Sequence, residues 1–322
     1  MKRILFFASL ILVGCSNNDL KEQTDSSLIS NQEKTINDYV SIDYQYQVGE
    51  IIGAINYGLT NALVSKETED KFGKKIQVKE IDYTLAEKLT LEKLKLPFSD
   101  VTSNRVTAKT QSSEESNEEV VSEIIEVMSD KMMNYNNQML GLFSIFEEEE
   151  KEDGWDTEEV IGDLISKFDV LQNSIMKDED LQEWEKTALL ASLITSKGFS
   201  ASFEELSENI SAASGQTGKF FKRIWRGVKK VARGVANIVV RTVAVSVRAT
   251  IHAFGGMIHG AGLLGGSGIL MAPFTMFGCG VVGHVSGFFG GVVNNFNCGT
   301  FDFKCILKHE GKYICEKKED FS

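Results

Sequence analysis

Four cysteines fall in the last 44 residues of this 322-residue chain: Cys279, Cys298, Cys305 and Cys315, with His309 among them. Thiols and an imidazole at this density offer two chemistries. Oxidised, the cysteines pair as two disulfides; reduced, Cys298, Cys305, His309 and Cys315 make a ligand set for zinc, although their spacing is not a familiar finger pattern. Phe303 to Leu307 and Lys312 to Glu316 alternate as strands around His309-Glu310-Gly311. A three-residue loop with glycine in the left-handed position sets Cys305 opposite Cys315, within disulfide reach. That leaves Cys279 for Cys298, one of three pairings the sequence allows. Catalytic chemistry finds no support. Gly265-Gly266-Ser267-Gly268 lacks the second glycine of a nucleophile elbow, and there is no HExxH and no phosphate loop. The expectation is a protein that is not an enzyme, with no cofactor and no resident metal.

The choice between the two cysteine chemistries depends on compartment. Lys2 and Arg3 precede the apolar run Ile4 to Val13, which is too short to cross a bilayer and has the form of a secretory signal. It ends in Leu12-Val13-Gly14-Cys15, which resembles the lipobox of bacterial lipoproteins. That resemblance implies signal cleavage before Cys15 and lipidation of Cys15, palmitate-type acyl chains included. It places the protein in the cell envelope, and Ser16 after the cysteine favours the outer membrane. Several acyl chains make a stable anchor where one, at about 0.8 kcal/mol per buried methylene, is marginal. Export favours oxidation, hence disulfides over zinc. Ser16 to Gln32 is polar and reads as a flexible tether, taken to span 16–35.

The elements that position these groups divide by charge. Residues 218–322 hold 14 basic and 5 acidic residues, or +9; residues 1–217 hold 20 and 41, or −21. Residues 36–214 read as an acidic helical domain. Ile51, Ile52, Ile55, Leu59 and Leu63 recur at helical spacing, and a second helix is expected near Tyr83 to Leu94. Val120 to Phe146 reads as one long helix, interrupted near Asn134 to Asn137. Asp156 with Glu159, Asp180 with Glu183 and Ser202 with Glu205 each look like a capping box opening a helix. Strand signals are scarce before residue 300. The acidic run from Glu147 to Asp153 lacks the ligand alternation of a calcium loop and reads as a solvated loop.

Residues 215–252 read as a basic amphipathic helix. At 100° per residue, Lys222, Arg223, Arg226, Lys229, Lys230, Arg233, Arg241 and Arg248 share one arc of about 120°, with Trp225 and the aliphatic residues on the other side. Lys222, Arg223, Trp225, Arg226, Lys229, Lys230 and Arg233 are the expected membrane-binding residues. Such a helix suits an anionic lipid interface, or a seat against the acidic bundle. Nucleic acid is not an expected partner for an exported chain. From Ala249 to Thr300 no residue is charged, and Gly256 with Gly260, Gly262 with Gly266, and Gly283, Gly287 and Gly291 recur every fourth position. This spacing bares a backbone groove that lets helices approach closely, and it offers a route to homo-oligomers. Residues 253–296 read as a glycine-rich apolar hairpin turning at Pro273, with Ala249–Ala272 and Phe274–Asn294 long enough to cross a hydrocarbon layer. A packed interior core is the competing reading. Residues 297–322 complete the chain as a cysteine-rich β-hairpin tail.

The fold class expected is therefore mainly α: a helical bundle, a long basic amphipathic helix, a glycine-rich helical hairpin and a small disulfide-stapled β-hairpin. With the lipobox, Trp184-Glu185-Lys186-Thr187-Ala188-Leu189-Leu190 and the glycine series, the chain resembles envelope lipoproteins whose tails are similar to glycine-zipper and bacteriocin-like peptides. The resemblance implies a membrane-interacting or pore-forming tail masked by the acidic domain. The alternative is a non-enzymatic scaffold or partner-binding lipoprotein.

Overall fold

A computed structural model describes residues 34–69, 72–95, 114–146, 157–214, 221–259, 280–293, 298 and 301–310. Cys15, residues 16–33 of the tether, the acidic run at 147–153, Gly260, Gly262, Gly266, Pro273, Cys279 and Cys315 lie outside the described residues. The fold is mainly helical. After a 3-10 turn at Ile36–Asp38 come α1 (Ile42–Asn61), β1 (Leu63–Glu69), β2 (Lys75–Ile81), α2 (Tyr83–Lys93), α3 (Glu114–Val127) and α4 (Asp130–Leu142). A second 3-10 turn, Phe143–Phe146, precedes α5 (Thr157–Lys177), α6 (Glu183–Ser214), α7 (Phe221–His259), α8 (Gly280–Val293) and α9 (Phe303–Glu310). The described residues from Thr35 onward form one compact unit.

Local sequence explains most boundaries. Ser41 caps α1 by accepting from the Tyr44 N–H at 3.2 Å, and Asp82 caps α2 by accepting from Thr84 and Leu85, both at 3.0 Å. The apolar stripe of α1, with Val48, Ile51, Ile52, Ile55 and Leu59, is buried against α2 and α6. Phe168 of α5 and Phe143 of the second 3-10 turn meet with ring centroids 5.6 Å apart in the same core. Gly58 makes the α1–α2 approach possible: a Cβ there would lie 2.4 Å from the Ala86 carbonyl oxygen.

Several expectations change. The helix foreseen over 120–146 is broken earlier, at Ser129, whose hydroxyl accepts from the Met132 N–H at 3.1 Å and starts α4. Ser202 opens no new helix; α6 runs through it, and its hydroxyl donates to the Phe199 carbonyl at 2.7 Å instead of capping. The β-hairpin lies at β1–β2, antiparallel with Leu63 opposite Ile81 and Glu69 opposite Lys75. Residues 303–310, expected as a strand and turn, are helical. Asp302 accepts from the Cys305 N–H at 3.0 Å, and Phe303, Ile306 and Leu307 bury one face at i, i+3, i+4. The local cap and the helical burial pattern outweigh the apparent alternation. Lys312–Glu316 lie outside the described residues.

Among the described residues no helix is long and apolar enough to cross a membrane. In the segment expected to span from Phe274 to Asn294, α8 covers 14 residues. At 1.5 Å per residue that is about 21 Å, against the ~30 Å of a hydrocarbon core. Instead α8 packs on α7, α2 and α1.

Candidate functional site

Helix α7 holds the centre of the site. It packs against α6 on one side and α8 on the other, with α9 and α3 touching it as well. From Val231 to Val247 nearly every side chain is buried. The basic arc is part of this interior: Arg241 is 8% exposed and Asn237, within the same arc, is 0% exposed. Over Val231–Val247 a helix amphipathic by sequence is enclosed on both faces, because it packs between α6 and α8.

The contact with α8 is a backbone-to-backbone approach. A Cβ on Gly291 would come within 2.8 Å of both the Arg233 carbonyl oxygen and Asn237 Cβ, and 3.1 Å from Gly234 Cα. A Cβ on Gly234 would strike the Phe288 ring at 2.7 Å. The Arg241 side chain lies over Gly287, 2.9 Å from where a Cβ would be. Glycine every fourth residue on α8 thus leaves a groove that the polar stripe of α7 fills. The bared backbone is used chemically: Asn237 Nδ2 donates to the Gly287 carbonyl at 2.6 Å, and Arg241 Nη1 donates to Ser286 Oγ at 3.3 Å.

The expected partner of the basic stripe was either lipid or the acidic bundle. At positions 233–241 the uncharged glycine face of α8 covers the stripe, while α7 also packs on α6 of the acidic region. Of the other expected membrane-binding residues, Lys229 and Lys230 are half-buried, and Lys230 Nζ sits 4.7 Å above the Tyr83 ring of α2. Lys222, Arg223, Trp225 and Arg226 fall in the first turns of α7, Gly256 near its end, and Gly283 in the first turn of α8.

A second polar line crosses the interior. Tyr44 of α1 shares a hydrogen bond with Thr195 of α6 at 3.3 Å and is also bonded to Thr242 of α7. Thr242 Oγ1 and His284 Nε2 of α8 lie 3.4 Å apart. Four helices are thereby joined through side chains. Burial dominates the titration of Tyr44, pushing its phenol up to about 12 despite the two threonine hydroxyls, which favour ionisation. No local pattern in the sequence marks this line, since Tyr44, Thr195 and Thr242 carry none. Asn237 had a signal, being an uncharged amide at the middle of a basic arc, four residues from both Arg233 and Arg241.

The cysteines also rearrange. Cys298 is joined to Cys305, with Cα atoms 5.9 Å apart, in place of the expected Cys305–Cys315 and Cys279–Cys298 pairs. Because α9 is a helix, Cys305 faces the segment preceding it rather than a return strand. His309 follows Cys305 by one turn, and the ligand atoms of Cys298, Cys305 and His309 all lie within 4.8 Å of one another. Comparison of the chain with protein-family models, curated proteins and solved structures finds no match.

Proposed function

We propose that this is a lipid-anchored envelope protein that stores a membrane-active cationic helix in a closed form, with α8 as its cover. The reading rests on the seating of α8's glycine face on the Arg233–Asn237–Arg241 stripe of α7. Burying a guanidinium costs free energy even when its N–H groups are hydrogen-bonded. An anionic lipid surface offers the same stripe a better partner, at about 1 kcal/mol per basic residue near the surface. Displacing α8 would free both members of the pair: α7 to lie in the interface through its stripe, and apolar α8 to enter the acyl region. Cys15 would hold the protein where this happens.

The scaffold reading is favoured by the same seam's closeness, since helices this tightly apposed also suit a permanent core. One experiment separates the two. Full-length Cys15→Ser protein, without the proposed anchor, is compared with its Gly291→Leu derivative on anionic and zwitterionic vesicles. The leucine collides with the α7 backbone and wedges the seam open. The storage reading expects the derivative to bind anionic vesicles and release trapped dye, weakly so in high salt and not on zwitterionic lipid. Loss of structure with no gain in vesicle binding would sink it and leave the scaffold.

A further inference from the structure

The Cys298–Cys305–His309 cluster is independent of the α7–α8 seam and unused by the function proposed above. Its geometry is more than a disulfide requires. Asp302 caps α9, so Cys305 sits in the first helical turn and His309 follows it on the same face, at i and i+4. Phe303, Ile306 and Leu307 are buried, which fixes the helix against α7, α3 and α4. The Phe303 N–H also donates to Asn137 Oδ1 at 3.2 Å. Two donors are therefore held on a rigid face, and buried Cys298 supplies the third from the segment ahead of it. Exposure rises across the set: Cys298 is buried, Cys305 half-buried and His309 exposed.

We propose that Cys298, Cys305 and His309 form a redox-gated site for a thiophilic cation of the zinc type. The cation occupies it when the two thiols are reduced, and the site closes when they join as a disulfide. Two thiolates and one imidazole are three of the four donors tetrahedral zinc takes, at about 2.3 Å for sulfur and 2.0–2.1 Å for nitrogen. Donors in such a shell stand roughly 3.3–3.8 Å apart, so the two sulfurs, now joined at a bonding distance of about 2 Å, part on reduction, and no pair of the three donor atoms starts more than 4.8 Å apart. A fourth donor completes the tetrahedron, water included among the ligands zinc takes there. A dithiol reductant delivers two electrons and two protons to the Cys298–Cys305 bond and leaves as its own disulfide. The cation then displaces both thiol protons as the sulfur bonds to metal form.

The test uses the full-length Cys15→Ser chain, reduced with a trialkylphosphine under anaerobic conditions and titrated with Co²⁺ as a coloured stand-in for Zn²⁺. One equivalent is expected to give thiolate-to-cobalt charge-transfer absorption with tetrahedral d–d bands, bleached by Zn²⁺. The oxidised chain should give neither. Cys298→Ser and Cys305→Ser should lose the charge-transfer band, whereas a Cys279→Ser, Cys315→Ser double variant should keep it. His309→Ala should weaken Zn²⁺ binding by about tenfold or more in competition with a chromophoric chelator. The idea is overturned if the reduced parent chain takes up no cobalt. It is equally overturned if His309→Ala binds as the parent does, or if the Cys279, Cys315 double variant loses the band.

Discussion

The helices α1 to α6 and the helices α7 to α9 solve the packing problem in different ways. In the first group, apolar stripes at helical spacing meet in a shared core: Ile55, Leu59, Leu164, Phe168 and Phe199 all belong to one buried cluster, and polar side chains such as Thr195 and Ser196 are buried alongside it. In the second, the decisive contacts involve what is missing or polar: bare glycine backbone, an asparagine amide, a guanidinium and a disulfide. The difference teaches that a segment without charge is not thereby a segment without polar work. The glycine face of α8 is apolar by composition, yet it offers carbonyls that the polar face of α7 uses.

This contrast predicts an order of mutational effects. In the first group the largest loss should follow removal of volume. Phe168→Ala deletes a fully buried ring tilted against Phe143 and should cost about 3–5 kcal/mol. In the second group, addition should hurt. Gly291→Leu is expected to cost about 1–3 kcal/mol or more, because the obstacle is α7 backbone that cannot step aside. Gly162→Leu in α5 meets nothing within 4 Å and serves as the control, at about the helix propensity gained over glycine. Chemical denaturation of the three variants checks the order. A harmless Gly291→Leu would erase the distinction between the two groups.

Next in size is Asn237→Ala. It leaves the Gly287 carbonyl without its buried donor, and about 1–3 kcal/mol should be lost. Ser129→Ala removes an N-cap and should cost about 1 kcal/mol, localised to the α3–α4 joint in hydrogen exchange. If Asn237→Ala proved the milder of the two, the α7–α8 seam would be held by shape and not by hydrogen bonding.

The same contrast decides what could be read from residues alone. The mainly helical class, α1, α2 and the start of α5 were legible, because periodicity and caps are local properties of the chain; α6 opens at Glu183, past the expected Asp180 cap, with Glu185 accepting from the Gln182 N–H at 2.9 Å. The β1–β2 hairpin was overlooked although Ile76 and Val78 alternate with Gln77 and Lys79 after Gly73, whose φ of +76° marks the turn. Its surface ion pairs, Lys66–Glu80 and Lys75–Glu67, leave little apolar signal. In the C-terminal group the glycine spacing showed that a helix would come close, but not which helix. A groove has no sign of charge, so the basic stripe could be matched to it only in three dimensions. Cys305 went to the wrong partner for a related reason. The short run 303–307 satisfies both strand alternation and an i, i+3, i+4 face, and the Asp302 cap with burial against α7 separates them.

The smallest effect at neutral pH, and the one that most sharpens the comparison, concerns Tyr44, which belongs to α1 but reaches into the second group through Thr242. Its phenol has a folded pKa of about 12 against an ordinary value of 10.0, with burial as the main cause. A folded pKa above the unfolded one means that the native state holds the proton more tightly. The stabilisation is then complete below pH 10 and is lost as pH climbs from 10 toward 12. At about 1.4 kcal/mol per unit, the two-unit span limits this loss to roughly 3 kcal/mol. Tyr44→Phe should therefore change stability little at pH 7, since the Thr195 hydroxyl already donates to the Ala191 carbonyl at 3.0 Å. Above pH 10 the variant should unfold less steeply with pH than the parent. Tyr83, whose phenol is also raised by burial and by neighbouring Glu80, contributes in the same direction, so Tyr83→Phe is the matched comparison. If Tyr44→Phe left the alkaline limb of the denaturation curve unchanged while Tyr83→Phe flattened it, water would be reaching the α1–α6–α7 contact. The polar line from Thr195 to His284 would then be a wet crevice, not a joint between the two groups of helices.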